Sequence, residues 1–223
     1  MPATTPTRVW DLPTRAFHWI LVMCVVALVI TGNVGGNWIT WHMRFGLTVL
    51  GLLVFRVLWG LLGGRWSRFI QFFPRPAAMM RYLRGHPAPD DTVGHNPLGA
   101  LSVFAMLFAL GAQVATGLMT DDEIAFTGPL VAHVSGDLVS RATAYHTEIG
   151  KLVLLALVGL HVAAIVFYGL VKGEKLVKAM ISGDKDLPAG VIPSQDGWGQ
   201  RLLALACAGV GVGVAWWVAS LGA

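Results

Sequence analysis

Five apolar stretches, each close to the length that crosses a bilayer, divide this chain into segments and loops. A helix that spans a bilayer needs about 20 mainly apolar residues. The segments that meet this length are 15–33, 42–63, 97–119, 146–171 and 201–221. The loop after the second segment is rich in Pro and Arg, the loop after the third is acidic, and the loop after the fourth begins basic and continues with Pro and Gly. The pattern predicts an all-α integral membrane helical bundle with five transmembrane helices.

The composition agrees with a protein surrounded by membrane lipid. Hydrophobic residues make up 55% of the 223 residues, charged residues make up 13%, and the mean hydropathy is +0.65. Soluble domains carry about 25% charged residues. The net charge of +4 is spread over short loops rather than gathered on one face, so we expect no binding to nucleic acid.

The basic residues also predict an orientation. If the N-terminus is cytoplasmic, the N-terminal tail and the loops after the second and fourth segments carry twelve Lys and Arg residues. The opposite side then carries three, namely Arg44, Arg141 and Lys151. Because cytoplasmic loops are enriched in Lys and Arg, we expect a cytoplasmic N-terminus and, with five spans, an external C-terminus.

Histidines inside the apolar segments are the first candidates for chemistry. His146 and His161 lie fifteen residues apart in the fourth segment, which corresponds to a rise of about 22 Å and a rotation of about 60° on a helix. His18 and His42 lie at the edges of the first and second segments. Ionisable side chains are costly in a bilayer and are functional candidates there.

The predicted topology sorts these histidines into two pairs by depth. His18 and His161 fall on the cytoplasmic side, whereas His42 and His146 fall on the external side. Two imidazoles at each depth favour two stacked haem centres, and bis-imidazole ligation leaves no open iron position, which suits electron transfer. The alternatives are interhelical hydrogen bonds of single histidines, a zinc site and a proton relay. No catalytic residue is assigned.

Three arginines are candidates for binding a cofactor. Arg56 lies within the second segment, fourteen residues after His42, and a cation there needs a partner, such as a haem propionate or a quinone head group. The alternative is that Arg56 snorkels to the cytoplasmic surface. Arg15 and Arg44 lie close to proposed ligands, where either propionate pairing or interfacial anchoring would explain them.

Other polar and small residues within the segments have simpler interpretations. The third segment contains Gln113 but no ligand, so we expect it to complete the bundle. His95 could lie near a quinone on the cytoplasmic side or serve an ordinary structural role. Gly209, Gly211 and Gly213 in the fifth segment predict a packing face for another helix.

Several motifs together resemble the bacterial cytochrome b561 family, which includes the b-type cytochrome subunits of nickel–iron hydrogenases. They are VWDLPTRAFHW before the first span, WHMRFG with Arg56 fourteen residues after its histidine, NPLGALSVFAMLFALGAQVATGLM, and HTEIG followed by GLH. The resemblance covers about residues 8–183. It implies a four-helix core holding two non-covalent b haems, with His18 and His161 as inner ligands and His42 and His146 as outer ligands. It also implies a bacterial inner-membrane location.

The resemblance further implies electron exchange with quinone, either ubiquinone or menaquinone. Residues 1–183 would form the di-haem domain, and residues 184–223 would add a linker and a fifth transmembrane helix. The first functional hypothesis is electron transfer between quinone and a periplasmic c-type cytochrome or oxidoreductase subunit, docked at the acidic outer loop. The alternatives are a superoxide:quinone oxidoreductase and a haem-free scaffold or transporter. A second copy of the chain is a further candidate partner of the fifth helix.

Overall fold

The computed structural model describes residues 4–124 and 126–222, and helices dominate them. The described elements, in chain order, are β1 (Thr4–Arg8), α1 (Leu12–Val34), α2 (Ile39–Leu62), α3 (Pro76–Leu83), α4 (Pro97–Gly117), α5 (Gly136–Ala144), α6 (Lys151–Val171), α7 (Leu176–Ser182), β2 (Asp184–Pro188) and α8 (Trp198–Ser220). A π-helical turn, Tyr145–Gly150, joins α5 to α6.

The predicted spans are confirmed as long apolar helices. Among the described residues, five helical stretches are long and apolar enough to cross a membrane: Leu12–Val34, Gly36–Leu62, Pro97–Gly117, Gly136–Val171 and Trp198–Ser220. Large apolar side chains on them are exposed, such as Phe108 at 81% and Leu170 at 83%. Because soluble monomers rarely expose wide apolar surface, this exposure fits a protein whose solvent is lipid.

Two helix starts differ from the predicted boundaries for local reasons. The helix α1 begins at Leu12 rather than at residue 15, because the Asp11 carboxylate accepts a hydrogen bond from the Thr14 backbone N–H at 2.8 Å and caps the helix. The fourth span begins earlier, at Gly136, because Ser135 caps α5 through Leu138 N–H and the π-helical turn continues α5 into α6.

The chain divides into two compact units, of which the first comprises Met1–Phe17, Arg56–Ala105 and Gly159–Ala206. In this unit β1 and β2 form an antiparallel pair, with Thr4 opposite Pro188 and Arg8 opposite Asp184. This small sheet was not predicted. Its neighbouring core contains the buried residues Val9, Trp10, Trp66, Val93 and Ala179.

The second unit comprises His18–Phe55, Met106–Val158 and Cys207–Ala223. Its core is formed by Cys24, Val49, Ala109, Leu110 and Leu154, with further aliphatic side chains packed around them. Both cysteines of the chain are buried free thiols, as small apolar residues would be. The predicted domain boundary after residue 183 stays a prediction.

Within the second unit, α8 packs on α2 of the same chain. A Cβ on Gly51 would lie 3.1 Å from the Gly211 carbonyl oxygen, so the two backbones are in close contact. The predicted glycine packing face of the fifth helix is therefore used at Gly211 by the chain itself. A Cβ at Gly209 or Gly213 would have no atom within 4 Å, so these two glycines are not part of the contact.

Candidate functional site

His42, near the start of α2, has its imidazole fixed by α1. Its Nδ1 lies 3.1 Å from the Leu28 carbonyl oxygen and 3.3 Å from Thr31 Oγ1. The Thr31 hydroxyl donates to the Ala27 carbonyl at 2.7 Å, so its oxygen is available as an acceptor. Since a carbonyl only accepts, the proton belongs on Nδ1. The His42 Nε2 lone pair is then available to a metal.

His146 lies in the π-helical turn and is fixed by α4 in the same manner. Its Nδ1 donates to the Gln113 carbonyl oxygen at 2.8 Å, which again leaves Nε2 as the lone-pair nitrogen. The Gln113 side-chain Nε2 donates in turn to the His146 carbonyl oxygen at 2.9 Å. A backbone carbonyl on the second ring nitrogen is one of the usual partners of a metal-binding histidine.

The two imidazoles lie close together within the second unit. Their ring centroids are 6.0 Å apart and their planes are inclined by 88°. A metal–imidazole bond is about 2 Å long and each ring adds its own radius, so this separation has the size that one metal ion between two imidazoles requires. The predicted pairing of His42 with His146 is thus matched by their proximity, while their role as ligands stays a prediction.

The donor set favours a metal that brings its own equatorial ligands. Among the described residues, no group of three or more His, Cys, Asp or Glu side chains could hold a metal ion. A structural zinc site needs four such ligands, whereas a haem iron needs only two axial ones. The pair therefore fits a haem iron and does not fit protein-bound zinc.

Glycines leave the space that these two rings occupy. A Cβ on Gly32 would lie 3.0 Å from His42 Cε1, and a Cβ on Gly117 would lie 2.6 Å from His146 Cε1. Gly46, one helical turn after His42, is half-buried, yet a Cβ there would have no atom within 4 Å. The face of α2 beside His42 can therefore accommodate a flat group against its backbone.

His18 and His161, the other predicted pair, belong to different units. His18 is half-buried on α1, with its ring 5.0 Å from that of Trp19 in an edge arrangement. His161 is half-buried on α6. Their pairing around an inner haem stays a prediction.

Arg56 is buried in the first unit, with 3% of its surface exposed. Its Nη1 donates to the Ser67 carbonyl at 3.1 Å, and its guanidinium carbon lies 4.6 Å from the centre of the Phe69 ring and 5.9 Å from that of Phe72. Such burial does not agree with snorkelling to the surface. The guanidinium lies instead beside two phenylalanine rings, whose faces stabilise a cation.

The sequence interpretation missed Asp11, a fully buried carboxylate beside this arginine site. Asp11 accepts hydrogen bonds from Thr14 N–H at 2.8 Å, Trp59 Nε1 at 3.1 Å and Ser67 Oγ at 2.7 Å. Ser67 thus connects the Asp11 carboxylate to the Arg56 guanidinium. The available signal was an acid directly before an apolar helix, the position of a helix cap.

Arg15 and Arg44 have different surroundings. Arg15 Nη1 donates to the Ile181 carbonyl at 2.6 Å, and its Nη2 lies 3.9 Å from Asp196. Arg44 is exposed, with its guanidinium carbon 4.8 Å from the centre of the Trp41 ring. Interfacial anchoring and propionate pairing both stay predictions for these two residues.

Acidic side chains surround a surface cavity of the second unit. The cavity has a volume of about 300 Å³, and its polar lining consists of Asp121, Glu123, Ser140, Thr143, Thr147 and Glu148. The neighbouring Arg141 is engaged with Asp137 at 3.1 Å. Glu148 follows His146 by two residues, so one edge of this acidic cavity is close to His146 in the chain.

The known proteins that this chain resembles are b-type cytochromes. A family model described as prokaryotic cytochrome b561 matches residues 9–183. A Cupriavidus necator protein named "Probable Ni/Fe-hydrogenase B-type cytochrome subunit" is 24% identical over 210 residues, covering 79% of this chain and 86% of that protein. A protein of the same name from Azotobacter chroococcum is 26% identical over 212 residues, covering 80% and 88%. An Escherichia coli protein named "Probable Ni/Fe-hydrogenase 1 B-type cytochrome subunit" is 25% identical over 136 residues, covering 49% and 57%.

Proposed function

Because this chain belongs to the prokaryotic cytochrome b561 family, we propose that it is a di-haem b-type cytochrome that carries electrons between the quinone pool and a periplasmic redox partner. Family membership itself supports a membrane b-type cytochrome with a role in electron transfer. The observation that carries the proposal furthest is the pair His42 and His146. Their Nδ1 atoms are held by carbonyls and their rings lie 6.0 Å apart.

In this proposal His42 and His146 hold one haem b, and His18 and His161 hold the other. Haem b, when bound, supplies a one-electron iron couple. The chain's own contribution lies in the carbonyls of Leu28 and Gln113, which keep the proton on Nδ1 and leave the Nε2 lone pair of each imidazole available to hold the iron. Two histidines on each haem would leave no iron position for oxygen, so such sites would favour electron transfer over oxygen activation.

We propose that a quinone, either ubiquinone or menaquinone, binds on the cytoplasmic side near Arg56. A buried guanidinium with an aromatic neighbour can donate hydrogen bonds to a quinone carbonyl, and Phe69 lies 4.6 Å from it. His95 belongs to the same aromatic group, with ring centroids 4.7 Å from Trp10 and 4.5 Å from Phe72. It would supply a titratable group beside the head group.

The partner would dock on the periplasmic side. The named relatives are hydrogenase subunits, which supports an oxidoreductase catalytic subunit as partner; a c-type cytochrome is the other candidate. Asp121, Glu123 and Glu148 favour a partner whose docking face is basic, because opposite charges steer association. In this orientation the protein is a multi-pass inner-membrane protein with a cytoplasmic N-terminus.

The alternative, a superoxide:quinone oxidoreductase, receives less support from the same surface. Superoxide is an anion, and the carboxylates of this cavity would repel it. Arg44 is exposed and cationic, which is the feature that keeps this alternative open.

A haem count on detergent-purified protein from haem-supplied cells tests the proposal. We expect two b-type haems per chain by pyridine haemochrome, with low-spin bands in the dithionite-reduced spectrum. No haem would overturn the proposal and leave a scaffold or transporter. Rapid reduction of the haems by superoxide, with quinone as the sole acceptor, would favour the alternative oxidoreductase over electron transfer with a protein partner.

A further inference from the structure

The candidate ligand His146 does not lie in an ordinary α-helix. It is the second residue of the π-helical turn Tyr145–Gly150, which lies between α5 and α6. A π-helical turn bonds each carbonyl to the N–H five residues on, rather than four, and such turns are rare and frequent at functional sites. One extra residue in the turn changes the direction of every side chain before it relative to those after it. The direction of the His146 imidazole therefore depends on this turn being kept.

Gln113 of α4 contacts two polar groups of His146, the main-chain carbonyl and the ring Nδ1. Its side-chain amide nitrogen donates to the His146 main-chain carbonyl at 2.9 Å, and the main-chain carbonyl of Gln113 accepts from His146 Nδ1 at 2.8 Å. One residue thus fixes the backbone of the ligand and the tautomer of its ring. The main chain at position 113 supplies the acceptor for Nδ1 whatever the residue, whereas the contact with the His146 carbonyl needs the amide side chain.

The surroundings of the Gln113 amide also indicate that this side chain is placed for its contact with the turn. A Cβ on Gly150, the last residue of the turn, would overlap Gln113 Oε1 and the Tyr145 ring, so the glycine leaves the space that the amide occupies. Gln113 Oε1 is buried and has no hydrogen-bond partner among the described residues. An unsatisfied buried acceptor is unfavourable, and its presence here indicates that the amide is held for the contact made by its nitrogen.

We propose that Gln113 is the positioning residue of the outer haem ligand: it holds the π-helical turn at His146 and thereby directs Nε2 to the iron. This inference rests on the proposed function. Without the amide contact the turn is held less firmly against α4, which loosens the contact between His146 Nδ1 and the Gln113 main-chain carbonyl. A carbonyl that accepts from Nδ1 makes an imidazole a stronger donor to the metal, so this loosening raises the reduction potential of the haem that His146 would hold. Only the haem held by His146 should respond.

The test compares Gln113→Leu with Thr116→Val in the purified holoprotein. Leu keeps the size of Gln113 and removes the amide, whereas Thr116 donates to the Ala112 carbonyl of its own helix at 2.7 Å. We expect Gln113→Leu to raise the potential of one haem, to change the low-spin electron paramagnetic resonance signal of that haem alone, and to weaken its retention by about 10- to 100-fold. Thr116→Val should match the parent protein.

A second variant covers the case in which Gln113→Leu does not fold. Gly150→Ala keeps Gln113 but displaces its amide, and the same one-haem changes are expected. Unchanged potentials and spectra in the variant that folds, or equal changes in both haems, would overturn the role of Gln113. A parent protein without haem would instead overturn the proposed function, so the two failures are distinguishable.

Discussion

Gly51 of α2 and Gly211 of α8 are in backbone contact, and a Cβ on Gly51 would lie 3.1 Å from the Gly211 carbonyl oxygen. Gly51 follows His42 by nine residues, which corresponds to a rotation of about 180° on a helix. The helix α8 therefore packs on the face of α2 opposite the His42 imidazole. In this unit the fifth helix supports the helix that carries a candidate ligand.

We expect Gly211→Leu to destabilise the protein, because the new side chain would overlap the α2 backbone. Overpacking of this kind costs about 1–3 kcal/mol. Thermal unfolding in detergent should show a lower Tm. Gly213→Leu is the matched control, since a Cβ there meets no atom within 4 Å and Leu is the better helix former. An equal decrease in Tm in both variants would show that the loss of stability does not come from the Gly51–Gly211 contact.

The second prediction concerns Asp11, which links the start of α1 to Trp59 and Ser67 by hydrogen bonds. Asp11→Ala removes a helix cap, which is worth about 0.5–2 kcal/mol, and leaves the buried Ser67 hydroxyl without its carboxylate acceptor. We expect a clear loss of stability by thermal unfolding, and a smaller loss for Asp11→Asn, which retains one acceptor oxygen. Asp186→Ala, an exposed acid in β2, should be close to neutral. A comparable loss from Asp186→Ala would count against the network.

The features that could be predicted from the sequence are those that depend on bilayer thickness and on helix geometry. Span length and the residue spacing on a helix were enough to predict five long helices and to bring His42 and His146 together, and the family resemblance is confirmed over residues 9–183. The roles of Asp11 and Gln113 were not predicted, because each depends on contacts between distant segments. The π-helical turn at His146 has no signal in apolar periodicity. Gln113 was interpreted only as part of a helix that completes the bundle.

The third prediction is a pH dependence at Lys185. Its ammonium donates to the carbonyls of Val93 at 2.9 Å and Gly94 at 3.3 Å. Burial lowers the pKa of Lys185, and Glu174 partly offsets this. The folded protein therefore releases this proton at a lower pH than the unfolded chain, whose lysine pKa is about 10.4. Between these two values the unfolded state binds more protons, so the free energy of unfolding rises with pH.

Denaturation followed from neutral pH to about pH 10.5 tests this sign. The contribution of Lys185 should be constant below its lowered pKa and rise above it. Lys185→Met should lack that rise, whereas Lys178→Met, at an exposed position, should keep it. Identical pH profiles for the parent and Lys185→Met would contradict the assignment.

The fourth prediction concerns Arg56 and the proposed quinone site. Arg56→Gln removes the buried cation that donates to the Ser67 carbonyl and faces Phe69. We expect slower haem reduction by a quinol, through a higher KM, with the haem content unchanged. Arg84→Gln removes an exposed arginine on the same side, predicted to be cytoplasmic, and should not change the KM for the quinol. Loss of a haem from Arg56→Gln, with a normal KM for what remains, would indicate a propionate partner instead of a quinone site.

The final prediction separates the two histidine pairs. His42→Ala or His146→Ala should remove the same haem, because their ring centroids lie 6.0 Å apart, a separation that suits two ligands of one iron. His18→Ala or His161→Ala should remove the other haem and spare the first. Redox titration of each variant identifies which potential is missing. His133→Ala is the control, since that ring contacts the Leu221 carbonyl at 3.2 Å outside the long apolar helices.

The pattern of losses discriminates between the pairing and the presence of haem. Loss of one potential from both His18→Ala and His42→Ala would overturn the pairing while leaving a di-haem protein. Loss of both potentials from His146→Ala alone would mean that the π-helical turn supports the whole of α6, since α6 carries His161 as well as following His146. Gln113→Leu distinguishes this case, because it perturbs the turn without removing either imidazole. A one-haem response to Gln113→Leu would then confine the effect of the turn to the ligand within it.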